Sequence, residues 1–94
     1  MFQNLESIDL SIVIVNFNTK EVLLNCLGSI YKQTSDIDFE VIVVDNASTD
    51  GSAKAAKKKF PKIKLIINAE NLGFSAGNNK GIKISQGRYV VLLN

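Results

Sequence analysis

Two apolar runs rich in β-branched residues, residues 10–17 and 39–44, constrain this chain more than any other feature. A strand with one wet face alternates in polarity, whereas a run that is apolar at nearly every position needs cover on both faces. Ser11 and Asn16 are the polar interruptions of the first run, and the second ends abruptly at Asp45. Between them the period changes: after Thr19 as a candidate cap, Val22, Leu23, Cys26, Leu27 and Ile30 recur on one helical face that fades near Gln33 and Thr34. Two doubly covered strands joined through a helix are parallel, because such a crossover is what brings the chain back in the same direction.

The alternation continues. Residues 46–51 read as a polar turn, with Asp50 or Ser52 as the next helix cap. Ala53, Ala56 and Phe60 then face a sheet while Lys54, Lys57, Lys58 and Lys59 face water, and Pro61 stops the helix. Residues 63–67, with Lys64 inside, fit a strand nearer the sheet edge. A loop over residues 68–73, a helix from near Ser75 and a fourth strand over residues 88–93 complete a βαβαβαβ order. Right-handed crossovers make this a three-layer α/β unit: a mainly parallel open sheet of four strands in order 3-2-1-4, with three helices covering both faces. Loops after the strands then share one rim, which Asn18, Asp45 and Asn71 reach.

A chain of 94 residues with 46% hydrophobic content supports one modest core. Cys26 is its only cysteine, so it forms no internal disulfide, and no Cys/His cluster suggests structural zinc. The short, broken apolar runs fall well below the roughly 20 residues of a membrane-spanning helix. The opening decapeptide carries Glu6 and Asp9 and lacks the basic start of a secretory signal, so cytoplasmic residence is expected. The net charge is +2, yet six of the eleven basic residues fall within residues 54–64. Aromatics do not interleave with these lysines as a base-stacking surface requires, so they read as a solvated helix face and no nucleic-acid partner is expected.

Asp45 directly follows four apolar residues at the carboxyl end of an inner strand. Ionised, it only accepts hydrogen bonds, which suits a base or ribose and repels a bare phosphate. The alternative is a carboxylate bonded to its own turn, and the residues alone leave both open. Asn16, Phe17 and Asn18 supply amides and an aromatic surface beside the same rim, although Phe17 equally fits the sheet core and Thr19 is a cap before it is a ligand residue. The stretch from Asn71 through Gly73 to Asn78, Asn79 and Gly81 is dense in amides and glycines. Gly77 and Gly81 place two bare positions on one helix face for close approach of backbone or ligand, while Asn78 and Asn79 suit either a nucleotide or a neighbouring loop.

Residues 11–94 resemble the amino-terminal part of family 2 glycosyltransferases of GT-A fold, in particular their rhamnosyltransferase-like branch. The resemblance rests on Val15-Asn16-Phe17-Asn18, on residues 44–51 with Asp45, and on Asn71-Leu72-Gly73-Phe74 before the amide-rich helix, in that order. It implies a nucleoside-diphosphate-sugar donor contacted by Asn16, Phe17, Asn18 and Asp45, with Asn78 and Asn79 near the donor pocket. Many relatives carry Arg where Asn78 stands, so one cationic contact to the donor is absent here. The resemblance also implies a carboxylate-x-carboxylate motif beginning at Asn94, which would complete a site for a divalent cation such as Mg2+ or Mn2+. On that reading residues 1–94 are a partial nucleotide-sugar-binding domain, inactive alone. The parent would pass a sugar to a saccharide or other hydroxyl acceptor with inversion, in the cytoplasm or at the cytoplasmic membrane face.

Other classes fit less well. The first strand leads into Asn16-Phe17-Asn18-Thr19-Lys20 rather than a glycine-rich pyrophosphate loop, and no Lys-Ser/Thr phosphate loop is present. A non-catalytic nucleotide-binding or protein-interaction domain remains the alternative. The apolar fourth strand, Tyr89 to Leu93, is expected at a sheet edge, where backbone pairing favours self-association.

Overall fold

The computed structural model describes residues 7–93. Seven elements alternate: β1 (Ile8–Asn16), α1 (Lys20–Gln33), β2 (Phe39–Asp45), α2 (Ser52–Lys59), β3 (Lys64–Ile67), α3 (Phe74–Ile84) and β4 (Gly87–Leu93). The sheet is parallel throughout, in the order β3-β2-β1-β4, as the doubly apolar runs require. Asn94 lies outside the described residues.

The chain steps from β1 to β2 to β3 in one direction, then reverses to place β4 beyond β1. Right-handed crossovers put helices made in opposite senses on opposite faces. Accordingly α1 and α2 share one face, where Leu23, Leu27, Ala56 and Ile63 bury against Ile12, Ile14, Val41 and Val43. On the other face Val13, Ile42 and Val44 form a second cluster, with Val15 and Ile66 against it. Here α3 approaches so closely that Gly77 lies over Val15 and Gly81 over Val13.

Some side chains depart from expectation. Val22 is 67% exposed and belongs to the wet side of α1, because the core stripe passes through Leu23 and Leu27 instead. Thr19 occupies the position before α1 but its hydroxyl makes no helix cap; it donates to Asn16 Oδ1 at 2.7 Å. The missing cap comes from another loop: Lys20 N–H donates to Asp50 Oδ2 at 3.0 Å. Asp50 also accepts from the backbone N–H and hydroxyl of Ser52, so one carboxylate serves the first turns of two helices. These hydrogen bonds, Ser52's first, hold its carboxyl below the usual range against a desolvation effect of opposite sign.

The polar residues at the opposite end of the sheet form a clip. Glu40 is buried, pairs with Lys64 at 2.6 Å, and accepts from Ser11 Oγ at 2.6 Å and from Gln86 N–H at 2.7 Å. Ser11 Oγ in turn accepts from Gly87 N–H at 2.8 Å. All four strands are thereby tied at one end.

Candidate functional site

At the carboxyl ends of the strands the register places Asn16 beside Asp45, and Asp45 beside Ile67. The following row sets Asn46 against Asn68. All four polar residues are buried, so each amide and carboxylate must find its partners inside the protein.

Asp45 Oδ1 accepts from Asn16 Nδ2 at 2.9 Å and from Ser48 Oγ at 2.8 Å, while Oδ2 accepts from Ser48 N–H at 3.0 Å. Both readings left open for Asp45 meet here. The carboxylate closes its own turn, yet of its four lone-pair directions three are in use and one on Oδ2 is left. Ser48 Oγ also accepts from Asn18 N–H at 2.8 Å and from Asn16 Nδ2 at 3.3 Å. Asn18 Oδ1 returns the link, accepting from Thr49 N–H at 2.7 Å. The loops after β1 and β2 are therefore one hydrogen-bonded unit. Asn18 and Ala47 adopt φ of 51° and 64° within it, a left-handed conformation that Asn tolerates and that costs Ala about 1–2 kcal/mol.

A second chain of amides fixes the loop before α3. Lys80 Nζ donates to Asn68 Oδ1 at 2.8 Å, Asn68 Nδ2 to Asn46 Oδ1 at 2.7 Å, and Asn46 Nδ2 to the Gly73 carbonyl at 3.1 Å. Asn71 Oδ1 accepts from Gly73 N–H at 2.9 Å, which with the positive φ of 88° at Gly73 turns the chain into α3. The tie between loop and helix, one of two readings open for Asn78 and Asn79, is made by Asn46, Asn68 and Lys80, to which the sequence assigned no such role. The available signal was positional: Asn68 follows its strand as Asp45 ends its own.

Asn79 is exposed, whereas Asn78 is 4% exposed. One position past the sheet-facing Gly77, Asn78 is turned about 100° around the helix. Its Oδ1 is buried with no hydrogen-bond donor among the described residues. Such an acceptor carries a penalty of about 1–3 kcal/mol until a donor reaches it.

The reversal of strand order lies between β1 and β4, where open α/β sheets form their ligand crevice. An open crevice of about 480 Å³ lies at the end of β1, lined by Val15, Phe17, Thr19 and Phe74. Phe17 and Phe74 are 47% and 48% exposed, so Phe17 leaves the sheet core and offers its ring at the rim. Among the described residues no three His, Cys, Asp or Glu side chains gather as a metal site. Asp45 and Asp50 are each largely taken up by the protein's own donors, and no third acid stands with them among the described residues, so they do not fit a divalent cation without ligands from outside residues 7–93.

A four-stranded parallel sheet in this order, with its polar cluster at the carboxyl rim, is an α/β unit of GT-A type. Residues 11–94 match the family model for glycosyl transferase family 2, and the chain belongs to that family. It is 32% identical over 88 residues to the uncharacterized glycosyltransferase YibD of Escherichia coli, covering 90% of this chain and 25% of that protein. The mannosyltransferase PcManGT of Pyrobaculum calidifontis, solved with GDP-Man and Mn2+, superposes with a TM-score of 0.74 at 26% identity, over 89% of this chain and 26% of its own. Residues 1–349 of Staphylococcus aureus TarS give 0.81 at 27% identity, over 92% and 27%. The chain thus spans about a quarter of the length of each of these three proteins.

Proposed function

We propose that a longer protein carrying this chain transfers a sugar from a nucleoside-diphosphate-sugar donor to a saccharide or other hydroxyl acceptor, with inversion, in the cytoplasm. The observation that carries the reading is the crevice between Phe17 and Phe74 at the strand reversal, in a chain of a glycosyltransferase family. A planar base packs against such half-exposed rings. Asn16, Asn18 and Asp45 hold the nucleoside end, Asp45 through its remaining lone pair. Asn71 and Gly73 shape the loop facing the donor, with exposed Asn79 and, beneath the surface beside it, Asn78 near the donor pocket. The order of these motifs supports the rhamnosyltransferase-like branch as the finer placement.

In the reaction the acceptor oxygen bonds to the anomeric carbon, the nucleoside diphosphate leaves with the bonding pair, and the acceptor proton passes to a base. Mg2+ or Mn2+ would neutralise the departing diphosphate, with Asn94 and residues beyond the described ones as the place for its ligands. Residues 1–94 are the nucleotide half of this arrangement and on their own should bind nucleotide weakly without turnover.

The test is a panel of nucleotide sugars and acceptors given to the longer protein; a folded protein that turns over none of them overturns the reading. Asp45→Ala should weaken nucleotide binding by about 1–3 kcal/mol, since it removes an acceptor and releases the loop unit around Ser48. Unchanged affinity in a folded variant would confine Asp45 to its turn.

The isolated chain should also self-associate through β4, which among the described residues pairs only with β1 and leaves Tyr89, Val91 and Leu92 66%, 40% and 44% exposed. Sedimentation velocity should show concentration-dependent oligomers that Val91→Lys disperses. A monomer at every concentration rejects this.

A further inference from the structure

Helix α2 and edge strand β3 carry the chain's sharpest charge asymmetry. Six lysines fall within residues 54–64, and no Asp or Glu occurs within residues 51–69. Two of the six are committed: Lys57 Nζ donates to the carbonyls of Pro61 and Ile63 at 2.9 and 2.5 Å, and Lys64 pairs with Glu40. Lys54, Lys58, Lys59 and Lys62 are exposed, with no acidic partner among the described residues.

Solvation accounts for lysines on a wet helix face, but not for the apolar floors between them. Leu65, Ile67 and Ala53 line an open concavity of about 600 Å³ edged by Lys54, Lys57 and Lys58. Tyr31, Phe60 and Pro61 line a second, of about 380 Å³, edged by Lys59 and Lys62. Ile67 is 64% exposed.

The side-chain types narrow the partner. All the cations here are lysines, while the chain's single arginine, Arg88, lies on β4. Arg forks read phosphates at fixed positions, whereas flexible ammonium groups over apolar side chains suit smeared negative charge above an apolar layer. Nucleic acid would want free ring faces, but Tyr31 and Phe60 are stacked on each other, with centroids 5.6 Å apart and planes 10° from parallel.

We propose that the α2–β3 face docks on an anionic lipid bilayer, with Lys54, Lys58, Lys59 and Lys62 among the headgroups and Ile67 and Pro61 against the acyl boundary. The larger concavity also reaches Asp45, Ala47 and Ser48, so a bilayer seated there meets the rim. The concavity shares Asp45 with the donor reading, and the test keeps the two apart because it reads vesicle binding without nucleotide and not turnover.

In sedimentation with phosphatidylcholine vesicles, with and without phosphatidylglycerol, the protein should bind only the anionic vesicles and leave them at high salt. Each lysine near such a surface is worth about a fivefold change in partition, so the combined variant Lys54→Glu, Lys58→Glu, Lys62→Glu should bind at least about a hundredfold more weakly with unchanged circular dichroism. Ile67→Ser should weaken binding without altering its salt dependence. Equal binding to neutral vesicles, no binding to anionic ones, or tight binding by a folded charge variant each overturns the proposal. Should the charge variant fail to fold, the lipid-charge and salt dependence of the unaltered protein decides.

Discussion

Glu40→Ala should lower the stability of the domain by about 3 kcal/mol, the lower end of the range for breaking a buried ion pair, because Lys64 is 40% exposed and water screens part of the attraction. The loss is more than electrostatic. Ser11 Oγ and Gln86 N–H both donate to Glu40 Oε2 and would lose that acceptor at the partly buried entry to β4. Burial pushes the Glu40 carboxyl upward, but the hydrogen bonds from Lys64, Ser11 and Gln86 outweigh it and hold it below the usual range. A carboxyl lowered in the folded state stabilises fully above its unfolded pKa, near 4.3, and loses that contribution as pH falls through the folded value. Urea melts should therefore show the gap between native protein and Glu40→Ala at neutral pH and its closure in acid. A gap that persists unchanged below the carboxylate range would mean that Glu40 acts through packing and not charge.

Gly81→Val should cost a similar amount by a different route. A Cβ at position 81 would stand 2.4 Å from Val13 Cγ1 and 3.3 Å from its Cγ2. Val13 is fully buried and its branched side chain has little rotamer freedom to yield, so α3 must lift from the sheet. Overpacking of this kind costs about 1–3 kcal/mol, and the added branches place it at the upper end. For a domain of this size that is a fall in Tm of on the order of 15 °C. Lifting α3 also separates Lys80 from Asn68, so nucleotide binding should fall in parallel with Tm. A variant as stable as the native protein would show that the helix was not seated on Val13.

The strand order was legible because two runs apolar on every side admit few arrangements other than a doubly covered parallel sheet. Asn16 and Asp45 stood out because each is polar where an apolar run stops. What escaped is whatever depends on register. Asn16 meets Asp45 and Asn46 meets Asn68 across strands 29 and 22 residues apart, and periodicity carries no information about which positions stand opposite. Glu40 was invisible for a related reason, since a single acid inside an apolar run reads as a strand residue until its three donors are seen. Thr19 and Val22 show the limit of local rules: the cap of α1 arrives from Asp50, thirty residues on, and the buried stripe is chosen by the sheet beneath it.

The place of β4 beside β1 has a consequence in time. Ser11 and Gly87, bonded to each other, are 76 residues apart in the chain. During synthesis at about 5–20 residues per second, β1 emerges on the order of ten seconds before its outer neighbour. In that interval β1, β2 and β3 can assemble with α1 and α2, but the other edge of β1 stays bare. The nascent chain then presents an unpaired apolar strand, the kind of edge on which chaperones act and neighbouring chains misassemble. Slowing translation between α3 and β4 should lengthen that exposure and raise the aggregated fraction.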